Sequence, residues 1–330
     1  MAVQKQRIFM TGGSGYIGSR IVELALREGH TIRALSRSAA GTAKLQALGA
    51  EPVPGDVSSL DILRAEAAQA DVVIHLADPW IDNFSAPYEK VIGIDGAAVD
   101  AMVQGLAKST GRKLLIDTSG VGVVKPDDHD GETDEDAAPN PNPLNGRIHR
   151  ETHSLSKAGH GGVRVCMMRL PPFVYGRGAS GVKLFMEIFA KLGFVPCVGG
   201  GTTRTSVVHV DDAARAYVLA ITRACVGDGN VRAIYNLTSS TETTFRELGA
   251  AMADALALPL REMSVSETTA AAGGLVAGFF SDRIRGRSDK ARRELGWVLE
   301  GMVGVIEDIR SGSYVELAEK LRAGAQASAA

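Results

Sequence analysis

The segment Thr11-Gly12-Gly13-Ser14-Gly15-Tyr16-Ile17-Gly18 places glycines at positions 12, 15 and 18. Residues without a Cβ permit a tight turn and let backbone N–H groups approach a bulky anion. Residues 7–11 before it have the apolar character of a strand, and residues 17–28 after it read as a helix. A turn at that junction aims the positive end of the helix at a phosphate. In this context GxxGxxG reads as a dinucleotide pyrophosphate site, with Gly12, Gly13, Ser14, Gly15, Tyr16, Ile17 and Gly18 as its cofactor-binding residues. The second strand, residues 31–35, runs into Ser36-Arg37-Ser38. Sites that take NAD usually carry an acid there to accept from the ribose 2′-hydroxyl, whereas an arginine suits the 2′-phosphate of NADP. Ser36 and Arg37 are therefore read as 2′-phosphate ligands. NADP is the expected cofactor and NAD the alternative.

The elements that must position this turn alternate regularly. Helical patterns at residues 42–48, 60–69 and 91–109 separate strand-like runs at residues 51–54, 71–76 and 113–117. Such alternation predicts parallel βαβ units, an α/β Rossmann doubly wound sheet with helices on both faces. Residues 126–145 are rich in acids and prolines and read as a solvated, mobile loop. A helix follows over residues 145–158, ended by Gly159, then a buried strand over residues 163–169. Later strands are expected at residues 207–210 and 234–237, and helices at 182–191, 211–223, 245–256 and 289–295. The apolar run 270–280 is too short to span a bilayer. It reads as a buried helix or as an apolar wall of a substrate pocket, hinged at Gly273-Gly274.

Composition narrows the function classes. The 330 residues are 45% hydrophobic and 22% charged with a net charge of −2, which suits a globular chain and gives no electrostatic footprint for nucleic acid. Cys166, Cys197 and Cys225 are far apart and form no metal-ligand spacing, so free thiols in a reducing compartment are expected. No metal site is expected. The N-terminus resembles neither a signal nor a transit peptide. The expectation is a cytoplasmic protein whose partner is a small-molecule substrate, with no nucleic acid and no membrane; a homodimer is left open.

Several further segments resemble the short-chain dehydrogenase/reductase superfamily in its extended or atypical, epimerase/dehydratase-like branch. They are Asp56-Val57, His75-Leu76-Ala77, Arg169-Leu-Pro-Pro-Phe-Val-Tyr-Gly176, Val208-His-Val-Asp-Asp212 and Glu294-Leu-Gly-Trp297, beside the glycine turn. The resemblance implies that Asp56 and Val57 contact the adenine and that Leu76 and Ala77 line the cofactor. It places Thr118 and Pro171 near the nicotinamide. It also implies a Rossmann domain of residues 1–177 and 206–239 and a smaller C-terminal substrate domain of residues 178–205 and 240–330. Asp78, Trp80 and Tyr88 follow the fourth strand, on the edge where open α/β sheets bind ligands.

The family's chemistry uses a serine or threonine and a Tyr-x-x-x-Lys pair. Ser119 fits the hydroxyl, with Thr118 as runner-up. No tyrosine occurs between Tyr88 and Tyr175. One register sets His153 and Lys157 in the pair's positions, on what otherwise reads as an exposed polar helix face. The preferred register sets Pro143 and Arg147 there, because it leaves a helix of ordinary length. Arg147 can hold a ribose but cannot give up a proton. Ser119, Arg147 and Tyr175, a phenol on the nicotinamide-side loop, are the catalytic candidates, and His209 reads as a satisfied core histidine. The first expectation is an NADP-dependent oxidoreductase of a small, apolar carbonyl or alcohol. A redox-neutral isomerase, epimerase or cyclase and a non-catalytic dinucleotide sensor stand as alternatives.

Overall fold

The computed structural model describes residues 4–79, 88–143, 145–226 and 230–329. The N-terminal half runs β1 (Arg7–Thr11), α1 (Tyr16–Arg27), β2 (Thr31–Ser36), α2 (Ala39–Leu48), β3 (Glu51–Pro54), α3 (Leu60–Gln69), β4 (Val72–His75), α4 (Tyr88–Lys108), β5 (Leu114–Gly120), α5 (Arg147–Ser156) and β6 (Arg164–Leu170). It continues through β7 (Phe173–Tyr175), α6 (Ser180–Leu192), β8 (Val195–Val198), β9 (Arg204–His209), α7 (Val210–Arg223), β10 (Arg232–Asn236), β11 (Ser240–Thr244) and α8 (Phe245–Leu256). The chain ends with β12 (Leu260–Met263), α9 (Val265–Ala272), α10 (Gly274–Phe279), α11 (Asp289–Leu295), α12 (Val305–Ser311) and α13 (Val315–Ala329).

Seven parallel strands form the main sheet in the order β10-β6-β5-β4-β1-β2-β3. This is the doubly wound Rossmann arrangement, whose order reverses between β1 and β4. Strand alternation divides the core. Ile8, Met10, Ile74, Ile116 and Cys166 pack with α1 and α7 on one face. Phe9, Val73, Leu115 and Val165, from the same strands, pack with α3 and α4 on the other. Burial of both faces explains the continuous apolar runs in the sequence.

A third core gathers Phe173, Phe185, Phe189, Phe245 and Phe280, with Phe185 and Phe280 edge to face at 4.9 Å between centroids. The boundary between this core and the first runs through strands rather than between them. On β9, Val208 belongs to the main-sheet core and Val207 to the third; on β7, Val174 faces the former, while Phe173 and Tyr175 face the latter.

Three expectations change. The helix over 145–158 is shorter, since α5 starts at Arg147 and gives way at Lys157. The apolar run 270–280 is not one helix, because Gly273, at φ +87°, separates α9 from α10. The acidic loop is docked rather than loosely solvated. Glu135 is buried and accepts from Asn236 N at 2.8 Å, and Asp134 pairs with Arg287 at 2.7 Å. Thr133 N donates to Arg285 O at 2.8 Å, and Arg287 N returns to Thr133 O at 2.9 Å. The partners come from more than a hundred residues downstream, out of reach of any local reading of charge.

Candidate functional site

The turn between β1 and α1 is closed by Gly15 N donating to Gly12 O at 3.0 Å. Gly12 has φ +72°, and a Cβ there would lie 2.9 Å from Ala77 N and 3.0 Å from the Leu76 carbonyl carbon. A Cβ on Gly18 would collide with the Gly12 carbonyl. The turn thus lies flat against the end of β4, and α1 lies flat against the turn. The N-cap Gly15 offers no side chain to the first-turn N–H groups of α1. A helix start without a capping side chain, behind a glycine cradle, suits a diphosphate. The side chains of Tyr16 and Ile17 turn away from the cradle: the Tyr16 hydroxyl donates to Gly176 O at 2.8 Å, and Ile17 packs on the core.

Beside the turn, the hydroxyls of Ser14, Ser36 and Ser38 converge on Gly41, within 3.0–3.2 Å of where its Cβ would stand. Thr42 Oγ1 donates to Ser36 Oγ at 3.0 Å, and Lys44 Nζ donates to Ser14 O at 2.9 Å. Arg37 is exposed at the same corner. Ser14, Ser36 and Arg37, expected from the sequence as cofactor ligands, lie at this corner beside Ser38, Thr42 and Lys44, which the sequence reading did not assign. The signal was present, since α2 begins immediately after β2 and its first turns must face the glycine turn. Asp56 is exposed, and its carboxylate accepts from Ser58 N at 2.8 Å in the turn that leads to α3; Val57 is half-buried there.

A cavity of about 280 Å³ opens at the C-terminal ends of β5 and β6, where open α/β sheets bind ligands. Ser119, Pro143, Arg147 and Pro171 line one side, Leu275 and Phe279 of α10 another. The two hydroxyls at the end of β5 differ. Thr118 Oγ1 donates to His75 O at 2.9 Å and meets the Tyr217 hydroxyl at 2.9 Å. Ser119 Oγ is buried without a partner among the described residues. Buried hydroxyls are ordinarily bonded, and an exception at a cavity wall calls for a ligand.

Behind the cavity runs a chain of alternating charge. Arg147 pairs with Asp78 at 2.7 Å, Asp78 with Arg150 at 3.1 Å, and Arg150 with Asp95. Asp95 Oδ1 lies 3.2 Å from His75 Nε2, and His75 Nδ1 lies 2.6 Å from Thr11 Oγ1. Thr11 Oγ1 already accepts from Leu76 N and Ala77 N. Its own proton is therefore left for His75 Nδ1, which fixes the imidazole proton on Nε2, facing Asp95. Burial works against ionisation of Asp95, but His75 and Arg150 outweigh it and hold the carboxyl well below its ordinary range.

Tyr175 does not join Ser119. Its side chain lies on the face of β7 opposite Val174, in the third core, and its hydroxyl donates to Val303 O at 2.9 Å. Burial pushes the phenol up to about 12. It lines a separate groove with Asp212 and Met302, whereas Val174 lines the cavity. His209 Nδ1 accepts from Asp211 N at 3.2 Å, and burial pulls the imidazole down, so it stays neutral. His153 and Lys157 both pair with Asp100 of α4, at 2.9 and 2.7 Å, away from the cavity-lining residues. Trp80 lies outside the described residues. Asp282 lines the cavity and was missed entirely; no motif surrounds it.

The sequence pattern of the NAD dependent epimerase/dehydratase family matches residues 8–237. An uncharacterized protein of Schizosaccharomyces pombe is 32% identical over 88% of this chain and 94% of its own length. A 4-hydroxy-2-methyl-3-oxo-4-farnesyl-3,4-dihydroquinoline-1-oxide ketoreductase of Stigmatella aurantiaca is 28% identical over 88% of this chain and 91% of its own. Among solved structures, UDP-glucose 4-epimerase of Thermotoga maritima with UDP-glucose superposes with a TM-score of 0.71 at 20% identity, covering 95% of this chain and 99% of that one. Human epimerase family protein SDR39U1 with NADPH gives 0.68 at 18% identity, covering 95% and 99%. With its glycine cradle, reversed strand order and matched residues, the chain belongs to the NAD dependent epimerase/dehydratase family and carries that family's NAD(P)-binding scaffold.

Proposed function

We propose that the chain is an NADP-dependent oxidoreductase that interconverts a small, largely apolar carbonyl compound and its alcohol. The observation that carries this reading is the buried, unpartnered Ser119 hydroxyl at the wall of a cavity of about 280 Å³. The glycine turn and the first-turn amides of α1 would hold the pyrophosphate. Arg37 and Lys44, with the hydroxyls of Ser14, Ser36, Ser38 and Thr42, would hold the 2′-phosphate. Leu76, Ala77, Thr118 and Pro171 would line the nicotinamide side. When bound, that group supplies or accepts the hydride.

The chain's own residues do the rest. Ser119 hydrogen-bonds the substrate oxygen. Arg147, held by Asp78, stabilises negative charge that develops on that oxygen without giving up a proton. Leu275 and Phe279 present apolar surface and exclude water. The ketoreductase relative supports the same reaction class. One observation favours a redox-neutral reaction instead: Arg147, rather than a tyrosine, opens α5.

The test is incubation of the protein with NADPH and a panel of small aldehydes and ketones, following nicotinamide absorbance and product masses together. Consumption of NADPH with matching alcohol, lost in Ser119→Ala at unchanged NADPH affinity, is the expected result. Product formation at constant NADPH would replace the oxidoreductase by an isomerase or epimerase.

A further inference from the structure

The family's chemistry needs a proton partner for the substrate oxygen, and Arg147, the one described residue of α5 that lines the cavity, cannot release a proton. The cavity itself contains a candidate. Among its described lining residues only Arg147 and Asp282 carry charge, and Asp282 is the only carboxyl. It sits on the turn after α10, where its N–H donates to Gly278 O at 3.1 Å. We infer that Asp282 is the catalytic acid of this cavity, delivering a proton to the oxygen of the carbonyl substrate in place of the absent tyrosine. The inference rests on the oxidoreductase reading above.

Three observations support it. The first is placement. The segment that follows Asp282 is tied across the sheet ends: Ser206 Oγ donates to Ile284 O at 2.9 Å, Gly286 N donates to Ser206 Oγ at 3.0 Å, and Ser288 Oγ donates to Thr238 O at 2.7 Å. Ile284 also presses on Gly122, just past Ser119, so closely that a Cβ there would lie 2.9 Å from its Cδ1. These ties hold the backbone next to Asp282 against the segment just past Ser119, and both residues line the one cavity.

The second is freedom from other duties. Among the described residues Asp282 has no ion-pair partner, because the other charge in the cavity, Arg147, is committed to Asp78. The remaining acids whose burial raises them are occupied elsewhere. Asp117 accepts from Ser154, Glu135 from Asn236 N, and Asp212 from Glu300 N at 3.0 Å. None of these three lines the cavity.

The third is protonation. Burial pushes the Asp282 carboxyl above its ordinary range, and only the backbone N–H and charge of the neighbouring Arg283 oppose this. Arg147, which also lines the cavity, is not among the groups that hold the carboxyl down. Such an environment favours the protonated carboxyl relative to an ordinary aspartate, the direction a proton donor needs.

The step balances. In the reducing direction the carbonyl carbon takes a hydride from the reduced nicotinamide, and the π pair of the C=O bond moves onto oxygen. The Asp282 O–H bond breaks and its proton goes to that oxygen. The products are the alcohol, the oxidised dinucleotide and the Asp282 carboxylate, which takes a proton back from water.

The experiment compares the full chain with Asp282→Asn and Asp282→Glu. Without cofactor, urea denaturation is measured from pH 4 to 8. A carboxyl raised in the folded state makes wild type lose stability relative to Asp282→Asn as pH rises from about 4 through the folded pKa. Parallel curves would overturn the inference. With NADPH and benzaldehyde, hexanal and 2-octanone as probes, Asp282→Asn should lose about 10²–10⁴-fold in kcat while binding NADPH normally. Asp282→Glu should recover part of that loss. Full activity in Asp282→Asn would overturn the acid role and leave the oxidoreductase reading standing. Wild-type protein inert toward all three probes would overturn both, although diverging denaturation curves would still mark Asp282 as the titrating group of the cavity.

Discussion

Gly18→Ala separates the architecture of the cofactor turn from its chemistry. Alanine is the better helix former by about 1 kcal/mol, and Gly18 lies inside α1, so propensity alone predicts a gain. The structure predicts the opposite. The new Cβ would collide with the Gly12 carbonyl oxygen and lie 2.9 Å from its carbon and 3.0 Å from Gly13 Cα. These are backbone atoms of a turn that is itself pressed on β4, so relief must come from displacing the turn. Overpacking of this kind costs about 1–3 kcal/mol, leaving a net loss of up to about 2 kcal/mol in the cofactor-free protein. A displaced turn also misdirects the amides facing the phosphates. Loss of one charge-assisted hydrogen bond, about 1.5–3 kcal/mol, weakens NADPH binding by about 10–100-fold. Gly15→Ala is the control. Its φ of −70° suits any residue, and the nearest atom to its Cβ would be Gly12 O at 3.0 Å. That contact asks the turn to give by only a few tenths of an ångström, so the stability loss should be smaller than in Gly18→Ala. Urea denaturation and fluorescence titration with NADPH report the two quantities. Gly18→Ala with both unchanged would refute the packing argument.

Three further substitutions test the rest of the site. Arg37→Glu and Lys44→Glu should each weaken NADP by about 10-fold or more while sparing NAD, since each removes a charge that favours the 2′-phosphate; equal losses for both dinucleotides in a calorimetric titration would exclude that corner as the discriminator. Arg150→Met removes the buried guanidinium between Asp95 and Asp78, leaving Asp95 to His75 and Asp78 to Arg147, and should cost about 3–5 kcal/mol. Asp95 is held below its ordinary range, so its stabilisation is present above about pH 3.9 and is lost as pH falls further. Without Arg150 the acid limb of the stability curve should move to higher pH, and an unmoved limb would detach Arg150 from that network.

The parts of the molecule legible in the sequence are those whose signal is local. The glycine turn and the strands on either side of it follow from spacing and strand pattern within a few dozen residues, and Ser119 at the end of β5 follows from the family resemblance laid on that strand. Tyr175 was misplaced by parity. Beyond Pro171-Pro172 the sequence does not say which face of β7 meets the cavity, and the alternation puts Val174 there and Tyr175 behind it. The acidic loop was misread because its partners, Arg285, Arg287 and Asn236, come from elements that only the tertiary fold brings near. Asp282 had no signal at all, being a single acid after an apolar run.

The position of that acid follows from how α5 is used. Arg147 and Arg150 stand three residues apart on one helical face, and both reach Asp78. Arg150 continues to Asp95 and so to His75 and the glycine turn. In this chain the helix that would carry a phenol instead spends its inward face tying the cavity wall to the cofactor turn, with guanidinium groups that never deprotonate. For the proposed carbonyl reduction, a proton donor would then come from another element. The only described carboxyl at the cavity is on the strap after α10, beside the apolar residues Leu275 and Phe279. Substrate recognition and proton supply would both reside in the C-terminal part of the chain, leaving the Rossmann half to hold the dinucleotide, Ser119 and Arg147. Exchanging the segment around α10 should therefore change substrate range and acid together without disturbing the dinucleotide site.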